Sequence, residues 1–241
     1  MEYENGQWIM KGISKDSPDR IKNTDELIDY INKVGFLPLF SNDIKGFSLE
    51  EKTYAYDWFC ENPHIDPWIW REELAKSGKV VYSKLFDKRA GFVSLEWFPH
   101  LVNWRRDGYD FDSLVDEGIA KRREALIMNL FLEDDSSKYS CDIKKQAGFS
   151  KGGEKNFNGV ITDLMMKTYL VLSDFKQRKN KKGEPYGMKI AIYSTPESIW
   201  TYDEVTKAYT EDPEKSKELI LNHLKTILPD AEEKQIIKLF L

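Results

Sequence analysis

The sequence predicts a mainly α-helical fold with a small β component, on three observations. Apolar residues recur at three- and four-residue spacing in most of its periodic stretches. Apolar–polar alternation is confined to short runs such as Met188-Lys189-Ile190-Ala191-Ile192-Tyr193. Residues 139–194 read in order as a short helix, a glycine-marked turn, a longer helix, a lysine-rich reversal and a strand. That is the order of a winged helix-turn-helix, here packed on a helical, aromatic-rich N-terminal half.

Residues 1–23 are polar and broken by Gly6, Gly12 and Pro18, so they read as an arm laid on the surface. Thr24 is placed to cap a first helix, with Asp25 and Glu26 in its opening turn, Leu27, Ile28, Ile31 and Val34 on one face, and Gly35 as its stop. Phe36-Leu37-Pro38-Leu39-Phe40 reads as a buried extended connector, because a proline cannot donate within a central strand. Ser48-Leu49-Glu50-Glu51 has the form of a capping box and opens a predicted second helix that takes in Tyr54, Trp58 and Phe59.

Residues 62–112 are dense in tryptophan. A predicted helix over 111–132 follows, apolar at Leu114, Ile119, Leu126, Leu130 and Phe131, with Lys121-Arg122-Arg123 as a solvated patch. In the winged unit the short helix spans 141–147, Gly148 stops it, and the Ser150-Lys151-Gly152-Gly153-Glu154-Lys155 turn has the backbone freedom to approach a phosphate. The predicted recognition helix covers 160–175 and leaves Thr162, Asp163, Met166 and Lys167 partly available. The reversal at 178–184 and the strand at 188–193 make the wing. Thr195-Pro196-Glu197 then starts a helix, and helices over 215–228 and 231–241 finish the chain, with His223 read as a satisfied, semi-buried side chain. The domain reading is an arm (1–23), a helical aromatic-rich region (24–135), the winged helix-turn-helix (136–195) and C-terminal helices packed on the core (196–241).

With 241 residues, 41% of them hydrophobic and 32% charged, the chain has material for a sizeable core, which excludes disorder and a disulfide mini-protein. Two cysteines and three histidines supply too few ligands for a structural metal, so neither metal nor cofactor is expected, and a reducing cytoplasm is the expected compartment. No signal peptide and no apolar run of about 18 residues is evident, so no membrane is expected. The net charge is −5 but unevenly placed. Residues 140–189 hold eleven Lys or Arg against five Asp or Glu, a surplus of six, which leaves −11 for the remainder.

The basic surplus nominates nucleic acid, DNA first, as partner, with Lys151, Lys155, Lys167, Arg178, Lys179, Lys181 and Lys182 as contacts in the winged unit and Arg105 and Arg106 outside it. Binding is expected to follow shape and charge, since the recognition helix lacks the arginines or Asn and Gln side chains that read base edges. Base excision needs a carboxylate to orient a water and an aromatic pocket for an extruded base, and residues 66–110 offer both. Asp66, Asp107 and Asp110 are the candidate acids; Trp68, Trp70, Trp97, Trp104 and Tyr109 are the candidate pocket aromatics; Arg71 and Lys84 join Arg105 and Arg106 as possible phosphate holders. Each also has a structural explanation: Asp66-Pro67 is a good helix cap, tryptophans fill cores, and Arg105 and Arg106 beside Asp107 and Asp110 make a salt-bridged loop.

The stretches Val34-Gly35-Phe36-Leu37-Pro38-Leu39-Phe40, Gly91 to Pro99, Arg105 to Asp110 and Gly148-Phe149-Ser150-Lys151-Gly152-Gly153 together resemble the AlkZ-related family of bacterial proteins, over most of the chain from Thr24 onward. More distantly the chain is similar to the AlkZ (YcaQ) family of helix-turn-helix DNA glycosylases. That similarity implies winged-helix units around a DNA-binding concavity and hydrolytic removal of alkylated or cross-linked bases. Those glycosylases carry Gln-x-Gln or Gln-x-Asp after a Gly-led pair, where this chain has Pro38 and Phe40. Neither can hold or activate a water, so the catalytic residues do not carry across. The expected function is therefore nucleic-acid binding without that motif. The alternatives are a glycosylase-like enzyme using the Asp, Trp and Arg cluster, and a protein-interaction module.

Overall fold

The computed structural model describes residues 2–4 and 7–240. In chain order it runs β1 (Glu2–Glu4), β2 (Gln7–Ile9), α1 (Thr24–Val34), β3 (Phe36–Pro38), α2 (Pro67–Ser77), β4 (Val81–Phe86), β5 (Arg89–Val93), α3 (Phe98–Arg106), α4 (Phe111–Asp116) and α5 (Arg122–Glu133). It continues through β6 (Lys138–Tyr139), α6 (Ser140–Gln146), α7 (Phe157–Met166), β7 (Val171–Lys176), β8 (Ile190–Ser194), α8 (Pro196–Trp200), α9 (Tyr202–Thr206), α10 (Pro213–Ile227) and α11 (Glu233–Phe240). None of these helices is long and apolar enough to cross a membrane. The chain divides into two compact units, one built from residues up to Phe98 together with those from Glu218, the other from Pro99–Lys217.

The first unit is organised on an antiparallel sheet in the order β3-β5-β4, with Phe36, Leu37, Phe86 and Phe92 fully buried. The predicted connector at 36–40 is thus partly a strand. It lies on the sheet edge, the one place where Pro38 leaves no ladder donor missing. α1 is capped by Asn23, one residue before the predicted cap, through Asn23 Oδ1 accepting from Glu26 N at 2.9 Å. Gly35 ends α1 at φ 77°, and a Cβ there would lie 2.7 Å from Trp97 Cδ1, so a side chain is excluded twice over. Phe240 of α11 meets Phe36 and Phe86 edge-on, at 5.2 and 5.4 Å. His223 stacks on Trp97 at 4.1 Å and shares a 2.9 Å hydrogen bond with Val34 O, the satisfied histidine of the sequence reading.

The capping box forms, with Ser48 Oγ donating to Glu51 Oε2 at 2.7 Å, yet the second helix does not. Single 3-10 turns at Glu50–Lys52 and Ala55–Asp57 replace it. Buried polar groups divert the chain: Glu50 accepts from Lys11 N and Ser41 N, and Thr53 Oγ1 donates to Leu49 O while accepting from Trp58 Nε1. Their buried hydrogen bonds to the chain outcompete helix continuation at Thr53, which turns extended. The segment leading to α1 is tied down here as well, through Ile13 N to Thr53 O and Ile21 N to Lys52 O.

In the second unit the predicted helix over 111–132 is two helices. Gly118, at φ 71°, reverses the chain after α4, and Ile119 N and Ala120 N both bond to Leu114 O. α5 packs on α6 and α7, α6 packs on β8, and the sheet runs β6-β8-β7 with antiparallel pairs. The predicted helix over 160–175 ends at Met166, Thr168 takes φ 64°, and Val171–Lys176 becomes β7, paired with β8. The apolar run reads as helical locally, but a pairing partner some twenty residues further on decides it.

Candidate nucleic-acid interface

Between β7 and β8 the chain runs out as a formed hairpin. Tyr186 N donates to Arg178 O at 3.0 Å, Asn180 N to Glu184 O at 2.9 Å, and Lys179 bridges Pro185. Asn180 shapes the tip, its Oδ1 accepting from Lys182 N and Glu184 N, while Gly183 supplies the positive φ. Lys176, Arg178, Lys179, Lys181, Lys182 and Lys189 surround one acid, Glu184, whose Oε2 accepts from Asn180 Nδ2 at 2.8 Å. Arg178, Lys179, Lys181 and Lys182 are exposed, and none has an ion-pair partner among the described residues. Like charges held this close in water are an attractor for a polyanion.

The glycine turn after α6 is a second basic loop. Glu154 N closes it onto Gly148 O at 2.9 Å, and a Cβ on Gly153 would sit 2.1 Å from Gly148 O. Arg122 and Arg123, read from sequence as a solvated patch, instead fasten the turn to α5: Arg122 Nη1 and Arg123 Nε donate to the two Glu154 carboxylate oxygens, at 2.5 and 2.9 Å. These bonds, with the guanidinium charges, hold the Glu154 carboxyl below its ordinary range. Lys151 and Lys155 remain exposed, with no ion-pair partner among the described residues.

Three other predicted contacts are structural. Lys167 Nζ is held by both oxygens of buried Glu124, at 2.8 and 2.6 Å. Arg105 donates to Met166 O at 2.9 Å. Arg106, only 4% exposed, donates to Thr168 O, Thr168 Oγ1 and Glu197 Oε1, and its guanidinium lies 4.7 Å over the Tyr169 ring. Both guanidinium groups are thus engaged by backbone carbonyls of the second unit. α7 is also more enclosed than a recognition helix should be: Phe157, Val160, Ile161, Thr162, Leu164 and Met165 are buried, and only Asn158 is exposed.

The candidate acids and aromatics separate between the units. Asp66, 3% exposed, is the cap of α2, its Oδ1 accepting from Trp68 N at 2.9 Å and from Phe59 N at 3.0 Å. Trp70 is buried core, its Nε1 donating to His64 O, and Trp68 is half-buried between Phe40, Phe59 and the Arg71 guanidinium. Arg71 is itself buried and paired with Glu72, and Lys84 is half-buried in β4. Trp97 belongs to the same unit, against His223. Asp107, Asp110, Trp104 and Tyr109 lie in the second unit: Asp107 is exposed at φ 53°, Trp104 is half-buried on α3, and Tyr109 O accepts from Tyr169 OH at 2.9 Å.

Asp110 lines a cleft of about 380 Å³, with Phe111, Phe131, Tyr169, Glu197 and Tyr202. Its oxygens accept from Tyr202 OH at 2.7 Å and Tyr209 OH at 3.1 Å, 3.6 Å from Arg106 Nη1. Hydrogen bonding to Asp110 raises the Tyr202 hydroxyl above its ordinary value, and burial does the same for Tyr169 and Tyr209. Burial works against the Arg106 charge, but Glu197 and Tyr209 outweigh it and hold the proton more firmly than usual. Sequence reasoning missed Glu197 and Tyr202 as site residues. Thr195-Pro196-Glu197 reads only as a helix start, and nothing local joins it to Arg106 ninety-one positions earlier. Asp112 and Asp135 add negative charge to the lining, so the cleft favours an uncharged or cationic group over a phosphate.

These features define a mostly helical protein with small antiparallel sheets, one of which extends into an exposed cationic hairpin. A family model described as AlkZ related matches residues 21–241, and the chain belongs to that AlkZ-related family. No curated protein and no solved structure matches it. The stretches that carry the resemblance are largely packing positions. Gly91 lies where a Cβ would meet Phe86 Cε2 at 2.4 Å and Leu37 O at 2.7 Å. Pro38 O accepts from Leu49 N, and Phe40 stacks on Trp68 and packs tilted against Trp58, so both residues hold backbone and rings together.

Proposed function

We propose that the protein binds nucleic acid, DNA first, by shape and charge through the hairpin that follows β7, without the Gln-x-Gln or Gln-x-Asp chemistry of the glycosylases. The observation that carries this is the concentration of exposed cations, Arg178, Lys179, Lys181 and Lys182, without ion-pair partners among the described residues, on a bonded hairpin with one acid among them. The order β6, α6, α7, β7, β8, with α5 behind, supports reading residues 136–195 as a winged helix-turn-helix in which the wing, not the second helix, makes the principal contact. The family relation to DNA-acting proteins and the lysines of the glycine turn point the same way. Binding of this kind neutralises phosphates and is nearly blind to sequence. Fluorescence anisotropy on a short duplex tests it: replacing Lys179, Lys181 and Lys182 together by Glu should weaken binding by roughly tenfold or more at modest salt. An unchanged affinity would remove the wing from the interface.

A second reading is a hydrolytic site acting on a nucleobase, favoured by Asp110, a predicted acid that lines an aromatic-walled cleft. Release of a base from alkylated DNA by the wild type, lost in Asp110→Asn, would establish it. Absence of release from the wild type would dismiss it.

A further inference from the structure

We infer that the hairpin carries an apolar wedge and prefers unpaired or poorly stacked nucleic-acid steps to intact duplex, a preference that rests on the nucleic-acid reading above and deepens it. Met188 is 84% exposed, the most exposed of the large apolar side chains among the described residues, and Tyr186, two positions earlier, is 50% exposed. The backbone at Tyr186 and Gly187 is bonded: Gln177 Nε2 donates to Tyr186 O at 3.0 Å and Gly187 O at 3.1 Å, Tyr186 N donates to Arg178 O, and Gly187 turns the chain at φ 62° just before Met188. Two exposed apolar side chains therefore flank a bonded turn, in the middle of the hairpin's positive charge.

Charge complementarity selects the occupant. Four exposed cations, Arg178, Lys179, Lys181 and Lys182, beside one already bonded acid call for a polyanion, and the apolar pair calls for a polyanion with flat apolar faces between its charges, which describes nucleobases on a phosphate backbone. Methionine, unbranched and polarizable, inserts between base faces, and tyrosine stacks on them. In an intact duplex the bases are closed to each other and the wedge must first unstack a step. At a mismatch, a bulge or a single-stranded gap that cost has already been met, so the wedge adds affinity there and the lysines add it everywhere. An anionic bilayer is the other polyanion with an apolar interior, but two isolated side chains are a poor insertion face beside an amphipathic helix.

The test uses the full chain and two DNA duplexes identical except for a central mismatch bubble, compared by fluorescence anisotropy at one salt concentration. Wild type should bind the bubbled duplex about tenfold more tightly. Met188→Ala with Tyr186→Ala should reduce that ratio to below about twofold and leave affinity for the intact duplex unchanged. Both residues are exposed, so circular dichroism of the double variant should superimpose on wild type. Equal wild-type affinities for the two duplexes, or a preference that survives the double substitution, overturn the wedge and leave the phosphate-led interface standing. Failure to bind either DNA, with capture by phosphatidylserine vesicles instead, overturns both.

Discussion

Arg106 ties together three parts of the second unit. It joins α3 to the turn after α7, through Thr168, and to the start of α8, through Glu197. Arg106→Met should leave the Glu197 carboxylate and the Thr168 carbonyl without their donor, at a cost of about 3–5 kcal/mol in the urea midpoint analysis. A loss below about 1 kcal/mol would mean that the network is dispensable. Asp66→Ala should cost about 1–2 kcal/mol through the lost α2 cap, with more if Phe59 N is left unpaired. Glu154 sets a pH dependence. Its carboxyl is held below the ordinary value, so its contribution is fully present above about pH 4.3 and is lost as pH falls through the lowered folded value. Amide resonances of residues 148–155 should shift in that acid window in wild type and not in Glu154→Gln. The Asp66 cap was legible in the sequence, because Asp-Pro at a helix start has few other uses. The role of Arg106 was not: a pair of arginines beside aspartates reads the same whether it faces water or a core, and Glu197 is remote in the chain.

Among the elements, α7 departs furthest from expectation. A helix whose one fully exposed residue is Asn158, with Asp163 and Met166 half-buried, presents little to a groove, so Asn158→Ala should change DNA affinity by less than about twofold. A tenfold loss would return α7 to the interface. The helices that were legible, α1, α10 and α11, carry an amphipathic stripe, and α1 adds end signals in its Asn23 cap and Gly35 stop. Those that misled were of two kinds. In residues 48–59 a correct capping box opens only one turn, because Glu50 and Thr53 are taken by buried partners. In residues 160–175 a continuous apolar run covers a helix, a left-handed residue at Thr168 and a strand. Neither distant partners nor a non-glycine residue at positive φ leaves a local mark.

For the whole molecule, charge distribution is the property that sequence conveyed best, since the surplus in residues 140–189 does emerge as exposed hairpin and turn. What it could not convey is which cations are already neutralised, as Lys167 and Arg106 are, or that residues 66–110 are divided between two compact units. Each unit also carries a buried tyrosine, Tyr82 and Tyr193, whose hydroxyl burial pushes up to about 12. The unfolded chain ionises at about pH 10, so stability is intact below that value and falls as pH rises from there through about 12. Denaturation midpoints should decline across that range, and less so in Tyr82→Phe and Tyr193→Phe.

The most direct measurement is the dependence of duplex-DNA affinity on salt. With three to five hairpin cations on phosphates, the logarithm of the binding constant should fall with the logarithm of salt at a slope of about −3 to −5, and the Lys179, Lys181 and Lys182 reversal should flatten it. A slope near zero, or one that the reversal leaves unchanged, would contradict a phosphate-led interface on this hairpin.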